Sequence, residues 1–184
     1  MTAKCLGFGS VRSIAAALLI TAISIAFGMP HAAAATVKIV ALGASNTAGK
    51  GVGRGVAWPA RLEAMLRERG YDVKVINAGI SGDDTSRMLA RVDEAVPART
   101  RLVILEKAAS NDQRRGINTK ANIAAIVARL RARGIRTIVI PGMHGWANNQ
   151  LQADGIHITA AGHAAVAARL LPLVIAAIGK RARK

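Results

Sequence analysis

TVKIVAL (36–42) runs directly into Gly43-Ala44-Ser45-Asn46-Thr47-Ala48-Gly49-Lys50-Gly51. The first segment is β-branched and nearly unbroken in its apolar character. It reads as a strand buried on both faces, the habit of strands in parallel sheets. Three similar segments follow at Val73 to Asn77, Leu102 to Leu105 and Thr137 to Ile140. Between them lie stripes at helical spacing: Trp58, Leu62, Met65 and Leu66; then Met88, Leu89, Val92 and Val96; then Ile123, Ile126, Val127 and Leu130. Pro59 suits a first helical turn and Gly134 a helix end. Thr159 is placed to cap a last helix carrying Val166, Leu170, Val174 and Ile178, with Pro172 expected to kink or split it. Four strands, each followed by a helix, predict an α/β fold with a short parallel sheet of about four strands flanked by helices.

In such sheets, sites form at the carboxyl ends of the strands, near the point where strand order reverses. The loops to inspect are 43–57, 78–84, 107–118 and 142–158. The first is glycine-rich, yet it is not a phosphate-binding P-loop. Five residues rather than four separate Gly43 from Gly49, and Gly51 stands where that motif needs Ser or Thr. Ser45, just beyond a buried strand, is instead positioned as an exposed hydroxyl. A serine needs a base to become a good nucleophile. The bases available are His144, His157 and His163, because His31 falls within the expected signal peptide. Only His157 has an acid at helical or turn spacing, Asp154 three residues earlier. The carboxylate can hold one ring nitrogen while the other faces the serine. Acyl transfer also needs donors for a developing oxyanion. The Ser45 amide, the Gly79 amide in Asn77-Ala78-Gly79-Ile80-Ser81-Gly82 and the Asn111 side chain are the candidates.

Ser45, Gly79, Asn111 and His157 follow successive strands in the order that names the SGNH (GDSL-type) hydrolase superfamily, and the chain resembles that superfamily from about Val37 to Leu173. Trp58-Pro59 and the stretch from Ser86 to Arg91 are similar to the bacterial periplasmic thioesterase/lysophospholipase/arylesterase branch. The resemblance implies a three-layer flavodoxin-like sandwich and a serine esterase mechanism without metal or other cofactor. It implies Ser45 as nucleophile, His157 as base, Asp154 as its partner, and an oxyanion hole from Ser45, Gly79 and Asn111. Substrates would be small acyl esters, thioesters or lysolipids. Met143 and Trp146, in Gly142-Met143-His144-Gly145-Trp146, are candidates to line the substrate pocket, although Trp146 could equally cap the core.

The chain departs from the family pattern in three places. Ala44 stands where an Asp usually precedes the serine. Ala109 and Ser110, rather than glycine, precede Asn111. Only 12 residues, 142–153, separate the fourth strand from Asp154, where many relatives have a further strand and helix. The fourth strand should therefore be an exposed sheet edge needing a loop or a partner subunit to cover it, beside a shallower pocket. The first two departures motivate an alternative: a catalytically weak or inactive SGNH-fold protein that binds a ligand or a cell-envelope component.

The 184 residues carry one Cys, 3% aromatics, and 26 Lys+Arg against 10 Asp+Glu, a formal charge of +16. That length suits one domain, and 52% hydrophobic content excludes wholesale disorder. One Cys excludes a disulfide framework or a multi-Cys metal site. Lys4 and Arg12, an apolar run from Ile14 to Phe27, and the small residues Ala32 to Ala35 read as a secretory signal peptide over residues 1–35, cleaved after Ala34 or Ala35. The run is shorter than the ~20 residues a membrane span needs. The domain is expected over 36–184, ending in a basic tail, with a periplasmic or secreted location. Losing Lys4 and Arg12 takes the charge from +16 to +14. The charge invites nucleic acid or an anionic membrane surface as a partner. Nothing resembles a nucleic-acid motif and there are few aromatics for base stacking, so no specific nucleic acid is expected. Loose association with an anionic membrane surface is. Monomer or dimer is left open.

Overall fold

The computed structural model describes residues 1–2 and 35–179. The expected leader, apart from its ends, and the basic tail from Lys180 lie outside the described residues. In chain order the elements are β1 (Val37–Gly43), α1 (Ser45–Ala48), α2 (Trp58–Glu68), β2 (Val73–Gly79), α3 (Thr85–Ala90), α4 (Val92–Ala95), β3 (Thr100–Glu106), α5 (Ala109–Arg115), α6 (Thr119–Ala132), β4 (Arg136–Ile140), α7 (Met143–Trp146) and α8 (Ala160–Ile178).

The four strands form one parallel sheet in the order β2-β1-β3-β4. Side chains alternate across each strand, so every strand feeds two cores. Ile39, Ala41, Leu102 and Ile104 pack with Trp58, Leu62 and Leu66 of α2 and Val166, Leu170 and Val174 of α8. Val40, Leu42, Val103 and Leu105 pack with Met88, Val92, Ile126 and Leu130 on the opposite face. The central strands are sealed on both sides, with Ile39, Leu42, Ile104 and Leu105 wholly buried. Each such side chain contributes about 1.5–3 kcal/mol by leaving water. The predicted three-layer α/β arrangement is the one observed.

The local elements differ from the sequence reading in three ways. The stripe from Met88 to Val96 is two short helices, α3 and α4, broken at Arg91. The Arg91 guanidinium turns back to the carbonyls of Gly43 and Ala78. The long loops also contain short helices, the single turns α1 and α7 and the seven-residue α5, too short to show a hydrophobic period. Finally, α8 runs unbroken through Pro172. Pro172 and Ala168, whose carbonyl the proline leaves without a donor, both lie on the exposed side. Leu170, Leu171 and Val174 hold the inner side in the core. Thr159 does cap this helix, accepting from the Gly162 amide at 3.2 Å.

Register brings the strand ends to one rim. Gly43 pairs with Gly79, Leu42 with Leu105, and Glu106 with Ile140. Strand order reverses beside β1, so the loops after β1 and β3 open onto the crevice where α/β sheets bind ligands. At the far side β4 is the last strand among the described residues. It is less covered than β1 or β3: Thr137, Ile138 and Val139 are only half-buried.

Candidate active site

The chain leaves β1 at Gly43 and turns at once into α1, with Ser45 as its first residue. The turn is held from below by Glu106, the last residue of β3. One carboxylate oxygen, Oε2, accepts from the Ala44 amide at 2.9 Å, the Thr47 amide at 3.1 Å and the Thr47 hydroxyl at 2.5 Å. The Asn77 side chain anchors the other end, donating to the Thr47 carbonyl at 2.8 Å. Burial pushes the Glu106 carboxyl above its ordinary range, opposed by the Thr47 hydroxyl and the two amides. The Ser45 amide, between the two amides that Glu106 takes, has no acceptor among the described residues.

Asp154, Ser45 and His157 meet from opposite ends of the chain. The Ser45 Oγ is 3.0 Å from His157 Nε2, and His157 Nδ1 is 2.5 Å from Asp154 Oδ2. With a proton on Nδ1 the ring donates to Asp154 and can accept from the serine. The other carboxylate oxygen of Asp154 accepts from the Ile156 and His157 amides, each at 2.9 Å. Hydrogen bonds from the His157 ring, then from these amides, hold the Asp154 carboxyl well below the usual carboxylate range. His157 is nearly buried, whereas the Asp154 side chain is 45% exposed.

Asn46, next to the serine, bridges the two halves. Its Oδ1 accepts from the Ile158 amide at 3.0 Å and its Nδ2 donates to the Ile156 carbonyl at 3.4 Å, bracketing His157. The other histidines do different work. His163 Nδ1 accepts from the Trp58 amide at 3.1 Å, at the start of α2. Burial, then the nearby Arg61 charge, lowers its pKa to about 4, as befits a neutral core imidazole. His144 lies against the Ile156 carbonyl through Nε2 at 2.8 Å.

Gly79, one of the expected oxyanion donors, closes β2. Its amide already donates to Asn77 Oδ1 at 3.0 Å. A Cβ at Gly79 would collide with the backbone of Thr47 and Ala48, so glycine is required there for close packing of β2 under α1. Gly79→Ala is therefore expected to lower stability by about 1–3 kcal/mol through overpacking, read as a lower Tm in thermal unfolding; an unchanged Tm would refute the packing role. Gly82, three residues on, has φ +85° and an amide with no acceptor among the described residues. Its loop is pinned at one end by the Ile80 amide on the Gly43 carbonyl (3.1 Å) and at the other by Asn111 Nδ2 on the Asp83 carbonyl (2.5 Å). It thus spans from the end of β1 to Asn111. Asn111 uses one amide hydrogen in that contact and keeps the second, and it lines the same cavity as Ser45. Asp112 adds a second staple, accepting from the Thr85 amide and hydroxyl at 2.8 and 2.7 Å.

The cavity beside Ser45 has a volume of about 240 Å³. Ile140, Pro141, Met143 and Ile156 supply apolar wall, and Lys107, Ser110 and Glu106 polar wall. Met143 lines it. Trp146 does not: it packs against the core formed with α8. The single turn of α7 carries Met143 to Gly145 along the cavity and rotates Trp146 inward. Sequence reading also missed Glu106, Asn46 and Gly82. Only Glu106 carried a signal, as a lone acid closing an apolar strand.

The chain is similar to known proteins. The chain is 32% identical over 117 residues to an arylesterase of Vibrio mimicus, covering 62% of this chain and 58% of the relative. It is 31% identical over 113 residues to the esterase TesA of Pseudomonas aeruginosa, covering 60% and 55%. The chain thus spans little more than half the length of these curated relatives. A crystal structure of TesA superposes with a TM-score of 0.63 at 26% identity, covering 77% of this chain and 97% of that one. AlinE4, an SGNH-hydrolase family esterase, superposes at 0.58 and 25% identity, covering 79% and 98%. The model of the GDSL-like Lipase/Acylhydrolase family matches residues 41–150, which takes in the Ser45 turn, the Gly82 loop and Asn111 and stops just short of Asp154. With that match running over more than half its length, the chain belongs to the GDSL-like Lipase/Acylhydrolase family.

Proposed function

We propose that the chain is a serine ester hydrolase acting on small acyl esters or thioesters. The observation that carries this reading is the hydrogen-bonded line from Ser45 through His157 to Asp154, opening on a cavity with Asn111 on its wall. In the reaction, Ser45 Oγ attacks the acyl carbon as His157 Nε2 takes its proton. The oxyanion is met by the Ser45 amide, the free hydrogen of Asn111 Nδ2 and the Gly82 amide. Collapse breaks the bond to the leaving oxygen or sulfur, which takes the proton from His157. A water then gives its proton to His157, attacks the acyl-serine and releases the carboxylic acid. The proton returns to Ser45. Asp154 keeps its charge throughout and stabilises the imidazolium.

This reading is favoured over an inactive binding protein because the serine and base are already within hydrogen-bonding distance despite Ala44 and the altered residues before Asn111. The test is labelling by a fluorophosphonate probe, with the modified peptide identified by mass spectrometry. Label on Ser45 is expected; a folded protein that takes no label belongs to the binding-protein alternative.

The cavity is below the ~300–1,000 Å³ of drug-sized sites, which supports short acyl groups. Hydrolysis of p-nitrophenyl acetate or butyrate is expected to exceed that of the palmitate ester by at least about tenfold in kcat/KM, since a few unaccommodated methylenes cost about 1–3 kcal/mol each. A rate rising with chain length would indicate lysolipid or long-chain substrates instead. We read residues 1–35 as a leader directing the domain to the periplasm or outside the cell. The surplus of positive charge supports loose association with an anionic membrane surface.

A further inference from the structure

We infer that Glu106 is the positioning residue for the nucleophile, an inference that rests on the hydrolase reading. Glu106 is 5% exposed and sits at the carboxyl end of β3, a rigid strand with pairing on both sides. Its Oε2 gathers three donors from the residues flanking Ser45: one amide on the residue before it, and an amide and a hydroxyl two residues after it. Three bonds on one oxygen tie both sides of the serine to the sheet. The Ser45 backbone, with no such tie of its own, is carried between them.

Two further observations fit this assignment. The first is Gly43. A Cβ there would run into Thr47 Oγ1 and Glu106 Oε2, so the glycine opens the space in which those two groups meet. The second is Ala44, which brings no carboxylate to the turn. The acid that shapes the turn comes instead from the neighbouring strand, 62 residues away. The second oxygen of Glu106 takes no part in these three bonds, and the residue forms part of the cavity wall. Glu106 could therefore act by holding the serine or by contacting substrate, and kinetics separates the two. A holding role falls on kcat, and a substrate contact made equally in ground and transition states falls on KM.

The experiment compares wild-type protein with Glu106→Ala, Glu106→Gln and Thr47→Val on p-nitrophenyl butyrate, with fluorophosphonate labelling rates alongside. Glu106→Ala is expected to lower kcat about a hundredfold, the scale of a displacement near 1 Å, with KM within about threefold and labelling slowed in parallel. Glu106→Gln keeps an oxygen that can accept from both amides, so at least about tenfold of the loss should return. Thr47→Val removes only the hydroxyl bond and should lower kcat a few-fold. The inference is overturned if Glu106→Ala turns over and labels at the wild-type rate, if the loss falls on KM, or if Gln rescues nothing. Should Glu106→Ala fail to fold by circular dichroism, Glu106→Gln and Thr47→Val decide: losses confined to kcat support the inference, and full activity in both overturns it. Wild-type protein that neither hydrolyses nor labels would sink the hydrolase reading itself. Active wild type with unaffected variants would sink the positioning role alone.

Discussion

Ser45→Ala is expected to abolish measurable ester hydrolysis, a loss on the order of 10⁴-fold or more in kcat. The change removes the atom that forms the acyl-enzyme in the proposed mechanism, while leaving the backbone amide at position 45, Asn111 and the cavity in place. Binding and oxyanion contacts alone supply only a residual rate. The fold should be untouched, because the Ser45 side chain bonds only to His157 and the turn is held by Glu106 through its neighbours. The assay is p-nitrophenyl butyrate hydrolysis by purified protein, with the melting temperature as control. Ser110 also lines the cavity. If the Ser45 variant kept activity within about tenfold of wild type, a different nucleophile would be responsible and the mechanism would have to be abandoned.

The second large effect is at the base. His157→Ala should lose about 10⁴-fold or more, because His157 is the base hydrogen-bonded to Ser45 among the described residues. His163 is committed to the Trp58 amide inside the core, and His144 is held at the Ile156 carbonyl. Asp154→Ala should be milder than His157→Ala by about tenfold to a hundredfold. In the proposed mechanism Asp154 orients the ring and stabilises its charge without exchanging a proton. Its side chain is 45% exposed, so water screens part of its field. Asp154 also receives the Ile156 and His157 amides, and removing it loosens the turn that carries the ring. The comparison needs kcat/KM for both variants in one buffer. Equal losses would mean that Asp154 takes part in proton transfer or holds the loop outright.

Much of this architecture was legible in the sequence because burial on both faces leaves a simple trace. TVKIVAL (36–42) and the other apolar runs can only be covered strands, and the stripes between them can only be helices that cover them. Ser45, Asn111, Asp154 and His157 were legible for a related reason: each follows a strand, and parallel strands all end on one side. What could not be read was local. A single turn such as α1 or α7 is shorter than one hydrophobic period, so the sequence left Trp146 between cavity and core, and α7 turns it toward the core. Pro172 was expected to break α8, yet packing on the inner face outweighs one lost backbone bond on the outer.

The glycines mark where the two kinds of information part. Gly79, at the end of β2, and Gly82 are three residues apart, and the sequence reading pointed to Gly79 as the oxyanion donor. The tertiary structure separates them by what each amide meets: Asn77 for Gly79, and no acceptor among the described residues for Gly82. Glu106 and Asn46 are the same case from the side of the acceptor. The sequence by itself determined the strand order's raw material, the side of the sheet on which chemistry gathers, and the residue types gathered there. Only the tertiary structure decided which hydrogen bonds they make. Apolar periodicity is a property of neighbours in the chain, whereas a hydrogen bond between residues 62 or 112 apart exists only once the sheet has set its register.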